Sequence, residues 1–314
     1  MEPKSNALRR DRQLCNKSCG ILLLYWLLMN AIVISVLLIR LGLALLASGV
    51  SIFALPDQIG TLSSELLADG TGYILSSLAG LVVVFLWKGD GLFRESFRYQ
   101  RSMTGAALLQ LLCVFTACQL CGSLLNTLIE LLLNCFGLTA SAAMEVASMM
   151  ESSPTMLLYA CLLAPVSEEI IFRGAMLRSF QPFGKRFAIV SSAILFSLFH
   201  GNIAQIPFAF LAGLVLGYVA AEYSLTWSIV LHLFNNLVLS QLLGQVVVLQ
   251  VLALLGMGIA GAVILLVRRR DIAAYGRCLR PMPATAVRGM VTAPCFLLLI
   301  LVCVVSTVLS ISRV

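Results

Sequence analysis

Long apolar runs separated by short polar segments recur along the whole chain. They fall at roughly 20–48, 71–88, 105–130, 154–177, 187–201, 205–222, 226–244, 246–267 and 294–312. Most reach the about 18–20 residues with which a helix crosses a ~30 Å hydrocarbon core. The runs are continuously apolar and do not alternate with polar positions, which argues against a β-barrel. The pattern predicts an all-α, polytopic transmembrane helix bundle of 8–9 spans.

The polar segments between the runs alternate in charge. Lys4, Arg9, Arg10, Arg12 and Lys17 precede the first run; residues 49–70 carry Asp57, Glu65 and Asp69 and no Lys or Arg. Residues 88–104 are basic again, 138–153 carry only Glu145 and Glu151, and Arg178, Lys185 and Arg186 follow. Basic loops favour the cytoplasmic side, so the N-terminus is expected there, and with nine spans the C-terminus outside. The basic start and the length of the first run predict a retained signal anchor, with Arg40 near its far end snorkelling or paired. Three parts are expected: 1–150 with three N-terminal spans, 154–245 as a central helical core, and 246–314 with C-terminal transmembrane helices and a basic cytoplasmic linker over 268–293. Pro281 and Pro283 mark that linker, and the last helix is expected outside the core. Ala209, Gly213, Gly217 and Ala221 form a small-residue stripe that lets helix backbones approach closely, chiefly within this protein.

Composition narrows the class. Hydrophobic residues make up 60% and charged residues 11%, with a mean hydropathy of +1.01, far from the mix of soluble domains. The net charge of +7 sits in loops between apolar runs, so it is no nucleic-acid signature. Most of the ten cysteines lie within apolar runs, where Cys acts as a small hydrophobe. Cys118 and Cys121 match C-x-x-C but lie mid-run without the context of a redox motif.

Against this background a few polar residues stand out. Glu168, Glu169 and Arg173 lie in one apolar run, His200 closes another, and His232 and Asn236 lie in a third; these are the only two histidines. Ionisable groups at membrane depth are costly and usually face a wet cavity or a partner. Glu169 and Arg173 stand four apart in the favoured order for an intrahelical pair, which by itself is also what a structural ion pair looks like. That pairing leaves Glu168, about 100° around the helix, to point elsewhere. Counting about 1.5 Å per residue from the basic loops places Glu168 about 15 Å deep, His200 about 20 Å, and His232 and Asn236 about 10 to 16 Å. One shared cavity accommodates all four.

A carboxylate and an imidazole can hold and deprotonate a water, while a second imidazole and a carboxamide can stabilise an oxyanion. The same residues can also serve as a zinc site, with Glu168, His200 and His232 as ligands and an open position for water. Buried Glu and His also form proton relays in transporters, although no internal repeat of the kind common there is present. A non-catalytic immunity or scaffold protein is the third alternative. G-x-S-x-G is absent, which weakens a serine mechanism.

The three motifs resemble the CAAX protease and bacteriocin-processing family of intramembrane endopeptidases. The family's E-E-x-x-x-R is met by Glu168, Glu169 and Arg173, its F-x-x-x-H by Phe196 and His200, and its H-x-x-x-N by His232 and Asn236. The resemblance covers roughly 154–245. It implies Glu168 as the water-activating base assisted by His200, His232 and Asn236 on the oxyanion, and Arg173 and Glu169 ordering the site. It implies no obligatory cofactor, with Zn²⁺ the alternative. The expected partners are a peptide or small protein substrate and the lipid bilayer, with no nucleic acid. By analogy the setting is a bacterial plasma membrane, and the role is peptide maturation or self-immunity.

Overall fold

The computed structural model describes residues 4–48, 66, 69–140 and 153–313. Asp57, Glu65, Glu145 and Glu151, on which part of the charge alternation rests, lie outside the described residues.

Each predicted apolar run contains a helix. Helix α1 (Lys4–Ser48) carries the basic start and the first run in one piece, followed by α2 (Thr71–Lys88), the short α3 (Asp90–Ser96) and α4 (Gly105–Asn134). Helix α5 (Pro154–Phe183) holds the acidic pair. Two shorter helices follow, α6 (Lys185–Phe199) and α7 (Ile206–Glu222), then α8 (Leu225–Gln245) and α9 (Val247–Val267). The chain ends with α10 (Arg269–Cys278), α11 (Ala284–Val291) and α12 (Pro294–Leu309). Two residue pairs form a minimal antiparallel ladder between β1 (Leu138–Thr139) and β2 (Ser312–Arg313).

Among the described residues six helices are long and apolar enough to cross a membrane: α1, α2, α4, α5, α8 and α9. Helices α11 and α12, bent by 56° at their junction, make a seventh when taken together. Helices α6 and α7 have 15 and 17 residues, or about 22 and 25 Å, which falls short of a full crossing. A short turn joins them. This turn carries Gly201 in the left-handed region (φ 57°), and Asn202 Oδ1 accepts a hydrogen bond from the Ala204 N–H at 2.9 Å.

The small-residue stripe of α7 faces inward. A Cβ on Gly213 would stand 3.1 Å from the Ala193 backbone, and one on Gly217 would stand 3.2 Å from Ile189 Cγ2, both on α6. The stripe is thus spent on packing inside the chain, as its spacing suggested. Arg40 pairs with Asp69, which also accepts from the Thr155 hydroxyl; this ties α1 and the segment before α2 to the start of α5.

The main core gathers side chains from α1, α5 and α6 around Tyr25, Phe172, Phe180 and Phe196. It also includes Ala286, Met290, Ala293, Phe296 and Leu299. The last helix is therefore not outside the core, contrary to the sequence expectation. Basic and proline residues near 270–283 read as a loop, but α11 and α12 turn apolar faces onto α1. Asn16 Oδ1 on α1 accepts from the Cys295 N–H at 2.9 Å, giving the first turn of α12 a partner that its own sequence lacks.

Candidate active site

The site is built on α5, α6 and α8, and two of these helices depart from regular α geometry where they carry it. Helix α5 has π-helical turns at Tyr159–Leu163 and Ile170–Met176, with Glu168 and Glu169 in the regular stretch between them. Helix α8 becomes π-helical over Phe234–Leu242, just beyond His232. Such turns are rare, widen the helix locally, and are frequent at functional sites.

Glu169 is fully buried, and its two oxygens are almost completely engaged. Oε1 accepts from an Arg173 guanidinium nitrogen at 2.8 Å and faces His232 Nδ1 at 3.0 Å. Oε2 accepts from the Ser228 hydroxyl, which also lies 3.1 Å from the Leu216 carbonyl. Arg173, equally buried, reaches the Gly213 carbonyl at 3.5 Å and lies over the Phe196 ring, 4.2 Å from its centroid. Isolated buried charges are prohibitive, so the pair stands only with this degree of satisfaction.

Phe196, four residues before His200, organises the site further. Both imidazoles meet it edge to face, His200 at 4.9 Å and His232 at 5.9 Å between centroids. His200 Nδ1 lies 2.9 Å from the Phe196 carbonyl. A carbonyl only accepts, so Nδ1 carries the proton and Nε2 of a neutral ring is left as an acceptor. By the same reasoning Glu169 fixes the proton of His232 on Nδ1. His232 Nε2 then faces Glu168 Oε2 at 3.8 Å.

Glu168 is the exception to this engagement. Its side chain is 21% exposed, and among the described residues no donor is hydrogen-bonded to it. It opens onto a cavity of about 200 Å³ shared with His200, His232, Asn235 and Asn236, and walled by Phe115, Phe208 and Gln205. The predicted residues thus come together: Glu168, His200, His232 and Asn236 line one cavity, with Glu169 and Arg173 directly behind His232.

Asn236 holds the cavity in register with α5. Its Nδ2 donates to the Ala160 carbonyl at 2.9 Å, inside the first π turn, and its Oδ1 accepts from Asn235 Nδ2 at 2.9 Å. One N–H of the Asn236 amide remains. Sequence reasoning missed Ser228 and Asn235. Ser228, His232 and Asn236 repeat every four residues on α8, so a face-by-face reading signals Ser228. Nothing in the sequence signals Asn235, which the π turn brings to the cavity beside its neighbour.

Among the described residues no three His, Cys, Asp or Glu side chains are grouped to hold a metal ion, and Glu168, His200 and His232 surround a cavity instead of a point.

Residues 150–238 match the family described as Rce1-like, type II CAAX prenyl endopeptidase Rce1-like. Comparison with curated proteins and with solved structures gives no match.

Proposed function

From the match of residues 150–238 to the type II CAAX prenyl endopeptidase Rce1-like family, we propose that this chain hydrolyses a peptide bond inside the membrane with Glu168 as the base. The observation that carries the proposal is the contrast between two adjacent carboxylates. Glu169 is saturated by Arg173, Ser228 and His232, whereas Glu168 meets the cavity without a bound donor among the described residues.

In this reading a water sits between Glu168 and the acceptor nitrogen of His200. Glu168 takes its proton as the oxygen attacks the scissile carbonyl, and later delivers that proton to the leaving amine. The developing oxyanion is met by the remaining N–H of Asn236 and by His232 Nε2–H. That second donor exists when His232 is an imidazolium, because Nδ1–H already serves Glu169. Glu169 and Arg173 orient His232 and do not touch substrate.

We assign the substrate to a peptide or small protein. The biological role is peptide maturation or self-immunity in a bacterial plasma membrane, with the basic loops cytoplasmic. No metal is obligatory in this scheme. The test pairs activity with metal analysis on purified wild type and Glu168→Gln, using a quenched-fluorescence peptide library. Cleavage by wild type alone, unchanged by chelator and without stoichiometric Zn²⁺, is the expected result. Equal cleavage by both proteins removes Glu168 as the base, and chelator-sensitive cleavage with stoichiometric zinc overturns the metal-free scheme.

A further inference from the structure

A peptide that enters a helix bundle leaves water behind, and its N–H and C=O groups then need partners from the protein. Helices satisfy their own backbone groups internally, so side chains around the cavity have to supply those partners. Two carboxamides besides Asn236 line the cavity, those of Gln205 and Asn235. Neither has a part in the bond-breaking steps proposed above.

Gln205 follows the turn between α6 and α7, five residues after His200. It occupies the N-cap position of α7, yet its side chain makes no capping hydrogen bond. Asn202 holds the turn instead. Its carbonyl accepts from the N–H groups of Gln205 and Ile206, each at 3.1 Å, and its Oδ1 accepts from Ala204. The Gln205 carboxamide itself has no hydrogen-bond partner among the described residues, so the fold makes no use of its polarity.

Asn235 is oriented by a chain of hydrogen bonds. The Ala160 carbonyl only accepts, so Asn236 turns Nδ2 to it and Oδ1 to Asn235, which must then present its own Nδ2. Asn235 Oδ1 is left buried without a donor among the described residues, on a side chain that lines the cavity and is 6% exposed. A buried acceptor without a donor carries a cost, which a donor on the occupant of the cavity removes.

We propose that Gln205 and Asn235 are substrate-binding residues that hold the peptide main chain beside the scissile bond. Asn235 Oδ1 accepts a main-chain N–H, and the Gln205 carboxamide pairs with a second peptide group as both donor and acceptor. The choice of amides fits the site: a cation in either place would pair with Glu168 and an anion would repel it, whereas a carboxamide does neither. The inference rests on the endopeptidase reading of this cavity and adds that it recognises peptide groups flanking the bond it cleaves.

The test uses the full-length protein, Gln205→Met, which keeps the side-chain length, and Asn235→Ala. The probes are the quenched peptides, resynthesised with each main-chain N–H outside the scissile bond replaced in turn by an ester oxygen. Cleavage is followed in each protein, and binding is followed in the Glu168→Gln background. In wild type, ester replacement at two positions near the cleaved bond should lower kcat/KM about ten-fold, the effect of one lost hydrogen bond in a buried site. Gln205→Met should raise KM for the all-amide peptide by a similar factor, melt at the wild-type temperature, and abolish the penalty at one position. Asn235→Ala should abolish it at the other. Ester penalties that are identical in all three proteins, with KM unchanged in Gln205→Met, overturn the proposal and leave the endopeptidase reading intact. Peptides that bind with these Gln205- and Asn235-dependent penalties but are cleaved by no variant support the contacts and remove the endopeptidase reading. Peptides neither bound nor cleaved overturn both.

Discussion

Two helix packings in this molecule use opposite means. Helices α4 and α9 meet through small residues: a Cβ on Gly258 would lie 3.1 Å from Leu120, and one on Gly261 would overlap the Cys113 carbonyl. That contact contains no ion pair among the described residues, and much of the rest of α9 is exposed, as suits a lipid-facing helix. Helices α5 and α8 instead meet through Glu169, Arg173, Ser228 and His232, all buried, the last three each hydrogen-bonded to Glu169. Backbone proximity is the general means of holding helices together in lipid. The ionic packing is expensive, and it is found where it also orients an imidazole toward a cavity. Stability and chemistry are separable in the first contact and inseparable in the second.

Four substitutions sharpen that contrast. The largest effect is expected at Glu168, which contributes to the cavity and not to the packing: Glu168→Ala lowers kcat/KM by about a thousand-fold with little change in thermal stability, as read by peptide cleavage and by unfolding in detergent. Next comes Arg173→Met, which strands Glu169 and costs about 3–5 kcal/mol of stability; both the melting temperature and the activity should fall together. Gly261→Ala wedges α9 from α4 at about 1–3 kcal/mol. It lowers the melting temperature while activity per folded molecule stays at the wild-type value; a matching loss of turnover would show that the two contacts are coupled. The smallest effect belongs to Cys118→Ser combined with Cys121→Ser, in the middle of α4. Cleavage with and without reductant should be unaltered, since neither thiol lines the cavity.

The same contrast explains what the sequence made legible. Helix positions followed from apolar runs, and the residues of the cavity from polar groups that have no reason to be in such runs. Glu169 with Arg173 was readable because the pair lies within one helix at a fixed spacing. The partner of His232 was not, since its contacts to Glu168 and Glu169 depend on how α8 rotates against α5. The π turns were also invisible: Phe234–Leu242 has no composition that distinguishes it from an α-helix, yet it decides that Asn235 joins Asn236 at the cavity.

The hydrogen bond from Cys295 to Asn16 spans 279 positions, and it gives the biogenesis of this protein a definite order. The ribosome delivers α1 first, and the face bearing Cys15, Cys19 and Leu22 then waits while every other helix is made. Only when α11 and α12 emerge is that face covered and the last helix capped. A chain cut short after α10 would insert, carry every cavity-lining residue, and still present an unfinished seam to membrane quality control.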